Sequence, residues 1–237
     1  MHATESPWEH HKLVAQNSVL WPNAFADFYR LNHTASRAPF VIYFGGAISP
    51  ETYESRRETQ PLAILKEFQS AVAHLNCDAA DLLVIPNPPV MRNAPDHRQR
   101  VFKFVLEEML PLTGAAMPER MGLLGYSYGA YIAAMLSFEL TQVSALATIG
   151  GVGMSDAADE SERKLWTTKQ FLCFANNDDM IGANSRAFSR SMDERGIKVD
   201  VTERQGGHRF DDYAENCSVR HAFAFLLESM RRTASGS

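Results

Sequence analysis

Apolar residues in this chain recur in two alternating rhythms. The first is a set of short, nearly continuous runs: Phe40–Phe44 after Pro39, residues 82–85, Met121-Gly122-Leu123-Leu124, Val143–Ile149, residues 171–175 and residues 197–202. Several end at turn-forming residues, namely Gly45-Gly46, Pro86-Asn87-Pro88-Pro89 and Gly150-Gly151. Runs of this length bounded by Gly or Pro read as strands buried on both faces. The second rhythm is helical. Leu65, Phe68, Val72 and Leu75 follow Pro61, which suits a first turn, and Val101, Phe104, Val105 and Met109 repeat the spacing. An Ala-rich stretch follows Gly129, a helix over residues 183–195 is stopped by Gly196, and Val219, Phe223, Leu226, Leu227 and Met230 mark a last helix. Residues 12–31 alternate loosely and suit one or two edge strands within an N-terminal segment, 1–37.

Strands that alternate with helices, each nearly continuous in apolar residues, imply an α/β fold: a mostly parallel central sheet with helices on both faces. One domain over residues 1–237 is expected, with 231–237 a frayed tail. In such sheets function belongs at the carboxyl ends of the strands.

Composition narrows the class. A hydrophobic share of 45% with 22% charged residues is that of an ordinary globular protein, and no apolar run is long enough to span a bilayer. The start of the chain is polar and lacks the apolar stretch of a secretory signal. A net charge of -5 without a basic block argues against nucleic acid or an acidic membrane as partner. Cys77, Cys173 and Cys217 show no Cys-x-x-Cys spacing and are odd in number, which fits buried thiols in a reducing cytoplasm. There is no His-x-x-x-His helix, no cysteine cluster and no calcium-type acidic loop, so no metal is expected. Gly150-Gly151-x-Gly153 follows a strand as a nucleotide loop would. What comes next is polar and acidic rather than an apolar helix, and no cofactor is expected.

The chemistry centres on Gly125-Tyr126-Ser127-Tyr128-Gly129, which lies between the 121–124 run and the Ala-rich segment. A strand, a sharp turn and a helix in that order force the middle residue into a strained conformation and raise its hydroxyl above the sheet edge. The N–H groups opening the helix then face negative charge developing beside Ser127. A serine nucleophile needs a base, and the base needs an orienting carboxylate. Of the eight histidines only His208 follows a late strand, and Gly206-Gly207 lets its loop turn back over the sheet. Asp178 and Asp179, in Asn176-Asn177-Asp178-Asp179, close an apolar strand before it. The order along the chain is Ser, Asp, His.

In these motifs and their order the chain resembles the α/β-hydrolase superfamily over roughly residues 38–230. The resemblance selects Asp178 over Asp179, because the segment from Ala175 to Ile181 matches a Gly-x-x-Asp-x-x-Val-like pattern with Ala in place of Gly. Gly207-His208 matches the usual Gly-His of the histidine loop. The implied oxyanion donors are the Tyr128 N–H and a second N–H from Gly46 or Ala47, where Gly45-Gly46-Ala47 replaces the family's His-Gly-x and Phe44 stands where many relatives carry His. The stretch from Gly151 to Gln170 is too short for a large cap, so the form is compact, with at most one lid turn over residues 160–166. Pro89, Met91, Met154, Trp166 and Met180 are the candidates to line a substrate pocket. The implied activity is that of a serine hydrolase on a small or medium carboxylic ester. A thioesterase or acyltransferase acting on carrier-bound acyl groups is the alternative, and a triad-retaining ligand receptor, which usually has a large cap, is disfavoured. Epoxide and haloalkane hydrolysis usually require Asp at the position of Ser127.

Overall fold

A computed structural model describes residues 7–20, 24–31, 38–46, 59–86, 96–114, 118–151, 168–216 and 218–232. Its centre is an eight-stranded sheet formed by β1 (Trp8–Ala15), β2 (Ala24–Leu31), β3 (Phe40–Phe44), β4 (Asp81–Ile85), β5 (Met121–Tyr126), β6 (Val143–Ile149), β7 (Lys169–Ala175) and β8 (Val199–Arg204), in the spatial order β1-β2-β4-β3-β5-β6-β7-β8. β1 pairs antiparallel with β2 and β2 antiparallel with β4, while every pair from β4 to β8 is parallel. The N-terminal segment therefore supplies two strands, of which only β1 is an edge. β2 lies inside the sheet, with its first six residues buried.

The helices are α1 (Thr59–His74), α2 (His97–Lys103), α3 (Tyr128–Glu139), α4 (Asp179–Glu194), α5 (Phe210–Glu215) and α6 (Ser218–Arg232). α2 runs on through a π-helical stretch, Phe104–Met109, into a last turn, Leu110–Leu112. Successive residues of a strand point to opposite faces, and this explains the continuous apolar runs. Phe40, Ile42 and Phe44 join Leu123, Val101, Phe104 and Ile132 in one core layer, whereas Val41 and Tyr43 join Leu124, Phe68, Phe223 and Leu226 in the other. α2 and α3 thus cover one face, and α1, α5 and α6 the other.

Several boundaries differ from the sequence reading: α6 runs through residues 231 and 232, the start of the tail expected to be frayed, and β7 begins at Lys169 rather than residue 171. α4 begins at Asp179 rather than residue 183, because the Asp178 carboxylate accepts the backbone N–H of Ile181 at 3.2 Å and caps the helix four residues earlier. The last strand is β8, Val199–Arg204, set by its register with β7. Among the described residues no helix is long and apolar enough to cross a membrane.

The register aligns the strand ends. Phe44 pairs with Gly125, Tyr126 with Ile149, Ile149 with Cys173 and Ala175 with Arg204, so the loops after β3, β5, β6, β7 and β8 leave the sheet along one line.

Candidate active site

Ser127 sits where β5 gives way to α3. Its φ of 53° and ψ of −119° lie outside the regions that residues with a Cβ ordinarily occupy. Such a conformation costs on the order of 1–3 kcal/mol and must be imposed by the surroundings. Here the Ser127 N–H donates to Ile149 O at 2.9 Å, tying the turn to β6, and the Ala130 N–H donates to Ser127 O at 2.9 Å, starting α3. The two flanking glycines allow the helix to begin directly on the sheet. A Cβ at Gly125 would lie 2.2 Å from Gly129 O, and one at Gly129 would lie 2.1 Å from Phe44 O. No other residue type fits either position without moving backbone.

The Ser127 side chain makes no capping bond to its own helix. Its Oγ lies instead 2.9 Å from Nε2 of His208. On the far side of the ring, Nδ1 lies 2.8 Å from Oδ2 of Asp178. Residues far apart in the chain thus meet because β5, β7 and β8 end in register. The His208 side chain is 38% exposed and that of Asp178 14%, so the imidazole reaches solvent while the carboxylate is sheltered. Asp178 is fixed on its other oxygen by the Ile181 N–H.

The ring of His208 rests on aromatic residues. Tyr126 stacks against it with centroids 5.6 Å apart, and Phe210 and Tyr213 meet Tyr126 edge to face. Gly150, at φ +58°, brings the loop after β6 close, since a Cβ there would lie 3.1 Å from His208 Cε1. Burial pushes the Tyr213 phenol up to about 12, with the Arg204 guanidinium beside it opposing that rise. Phe210–Glu215 also places Asp211 and Asp212 in the first turn of α5, where negative charge suits the helix N-terminus.

Gly46 lies beside Ser127: a Cβ at this residue would be 3.0 Å from Ser127 Cβ and 2.9 Å from Tyr126 Cδ1. The Gly45 N–H is already engaged with Ile85 O at 3.1 Å. Tyr128, directly after Ser127, opens α3 with its side chain buried. Ala47, Pro89, Met91, Met154 and Trp166 lie outside the described residues, as do Cys217 and the segment 160–166, and for Met180 only the backbone position in α4 is described. His10 and His11 are in β1, His74 in α1 and His221 in α6, all outside the row of loops that carries Ser127. Cys173 is fully buried and burial pushes its thiol up, as it does for half-buried Cys77, so neither offers a thiolate nucleophile. Among the described residues no group of three His, Cys, Asp or Glu side chains is placed to hold a metal ion.

The sequence reading passed over Arg204 and Tyr126. Arg204 is buried, closes β8, and donates from its two terminal nitrogens to Gln205 O at 2.9 Å and Gly207 O at 2.7 Å. Tyr126 donates its hydroxyl to the backbone oxygen of His208. An arginine three residues before Gly-His is the only sequence signal for the first, and the second has none.

No family model and no curated protein sequence matches the chain. Solved structures do. A ferulic acid esterase superposes with a TM-score of 0.70 at 12% identity, over 94% of this chain and 98% of its own. Carboxyl esterase 2 of the mycorrhizal fungus Tuber melanosporum gives 0.65 at 11% identity, over 95% and 88%. The enterobactin esterase of Shigella flexneri gives 0.68 at 12% identity, over 93% of this chain and 59% of that one. With β2 antiparallel to its neighbours, the remaining strands parallel from β4 to β8 and these structures as neighbours, the chain has the α/β-hydrolase fold.

Proposed function

We propose that the protein is a serine hydrolase that cleaves a small or medium carboxylic ester through an acyl-enzyme on Ser127. The observation that carries this reading is the continuous line from Ser127 Oγ through both ring nitrogens of His208 to Asp178, with steps of 2.9 and 2.8 Å. In the first half-reaction Oγ attacks the ester carbonyl carbon as its proton passes to Nε2. Asp178 holds Nδ1–H and stabilises the imidazolium that forms. The carbonyl oxygen becomes an oxyanion, stabilised by the Tyr128 N–H and by a second N–H from Gly46 or Ala47. The imidazolium then protonates the departing alkoxide and the acyl group stays on Ser127. In the second half-reaction Nε2 takes a proton from water, the resulting nucleophile attacks the acyl carbon, and Ser127 leaves with its proton restored. The names of the three neighbours above, each an esterase, support an ester as the bond class.

A matched panel of p-nitrophenyl esters and acyl thioesters of equal chain length tests the class. Turnover of acetyl to hexanoyl esters is expected, lost in Ser127→Ala. Turnover confined to thioesters would move the assignment to the thioesterase alternative, and no acyl release from any of them would end the hydrolase reading.

A further inference from the structure

We propose that Arg204 and Tyr126 are positioning residues that clamp the histidine loop, so that His208 is held in line between Ser127 and Asp178; this rests on the hydrolase reading above. The loop after β8 is short and glycine-rich, and Gly206 sits at φ +124°. A segment of that composition has little intrinsic preference for one conformation. Yet a general base must be held within a fraction of an ångström, since a misplacement of about 1 Å can cost on the order of a hundredfold in rate. The loop has no strand or helix geometry of its own between Arg204 and Phe210 to provide this.

Three of its carbonyls are instead tied to side chains of the sheet. Gln205 O and Gly207 O accept from the two terminal nitrogens of Arg204, and His208 O accepts from the Tyr126 hydroxyl. Both anchors are buried. Tyr126 is the last residue of β5, immediately before the nucleophile, and Arg204 is the last of β8. The guanidinium packs on the Tyr213 ring, 3.6 Å from its centroid, which steadies the fork. Arg204 also holds the acid loop, because its backbone oxygen accepts the Asn176 N–H at 2.9 Å, two residues before Asp178. Gly206 is what lets the fork approach: a Cβ there would lie 2.6 Å from Nη1. One residue therefore bridges the acid loop and the base loop, and a second bridges the base loop and the nucleophile strand.

The test uses Tyr126→Phe, which keeps the ring stacked on His208 and removes only the hydroxyl, and Arg204→Met, which keeps the stem and removes the fork. Each is made in the native background and in His208→Ala, and the rate of Ser127 labelling by a fluorophosphonate is measured in all of them together with Tm. In the native background each substitution is expected to slow labelling by about tenfold or more, with kcat falling and KM for a p-nitrophenyl ester unchanged. In the His208→Ala background the same substitutions should alter the residual rate by less than about twofold, because there is no base left to position. Equal slowing in both backgrounds, or no slowing in the native one, overturns the clamp. Tyr126→Phe decides alone if Arg204→Met does not fold. Labelling undiminished in His208→Ala itself would remove the hydrolase reading and the clamp with it, a result distinct from the other two.

Discussion

Ser127 shares its positive φ with one other described residue that is not glycine, Asn76, and differs from it in standing at a helix start with its hydroxyl turned away from that helix. The strain and the outward hydroxyl belong together, because a serine in ordinary geometry at this position would cap α3 instead of facing His208. Asp178 accepts the Ile181 N–H on Oδ1 and has Oδ2 2.8 Å from Nδ1 of His208, whereas Asp179 is already the first residue of α4. Asp178→Asn is therefore expected to lower kcat on the order of 10³-fold or more, since an amide favours the wrong imidazole tautomer. Asp179→Asn should change kcat by less than about threefold and soften the helix by roughly 0.3–1 kcal/mol through the lost charge at its N-terminus. Steady-state kinetics on both variants checks the ranking, and the reverse order would move the acid to Asp179. The three residues that meet at the site were legible in sequence because each follows a strand and lies in or beside a turn marked by Gly, Asn or Asp. Arg204 and Tyr126 were not, because what they touch is fixed only when β5 and β8 are brought into register, and an arginine at a strand end reads as a solvated charge.

At the level of elements, the two glycines of the turn from β5 into α3 leave less room for a Cβ than Gly46, Gly150 or Gly206. Gly125→Ala or Gly129→Ala would place a Cβ within 2.2 Å of backbone oxygen, and neither the strand nor the helix can retreat without dragging its neighbours. Each should cost about 3 kcal/mol or more, read as a lowered urea midpoint. Gly196, at φ +72°, provides the contrast, since a Cβ added there would meet nothing within 4 Å. Gly196→Ala should cost only about 1–2 kcal/mol, from the strained backbone alone. Equal costs at the three positions would mean that close approach is not what the glycines serve. The central strands and the two helices with clean apolar spacing were readable because burial on both faces or on one stripe leaves a periodic mark. The start of α4 was hidden by Gly182, which weakens a helical pattern, and was decided by the side-chain cap from Asp178. The π-helical stretch left no periodic mark either. Pro111 follows it, has no N–H, and would bring its ring against the carbonyl of Glu107 in a regular helix; the Leu110 N–H bonds instead to Val105 O, five residues back.

Across the whole molecule, the sheet does two things: it buries aromatic residues in two layers and it brings five loops to one edge. The first has a consequence in alkaline solution. Burial raises the phenols of Tyr29, Tyr43 and Tyr213, the last to about 12. The unfolded chain loses those protons near pH 10 and the folded chain keeps them, so the unfolded state binds fewer protons and stability falls as pH rises from about 10 towards 12. Below about 10 their contribution is complete. The loss should approach about 1.4 kcal/mol per pH unit for each such tyrosine, visible as a urea midpoint that is level from about pH 8 to 9 and drops above 10; a midpoint that stays level to about pH 11 would contradict this burial. Strand order was legible only as a class, mostly parallel with helices on both faces, because the crossing that places β4 between β2 and β3 depends on packing that no local pattern records. The second consequence is the site itself. Reaction of the native protein with an alkyl fluorophosphonate, followed by mass spectrometry of its peptides, tests it most directly. A single adduct on Ser127, abolished in Ser127→Ala together with ester turnover, is the expected result. An adduct on any other residue, or full turnover in Ser127→Ala, would contradict it.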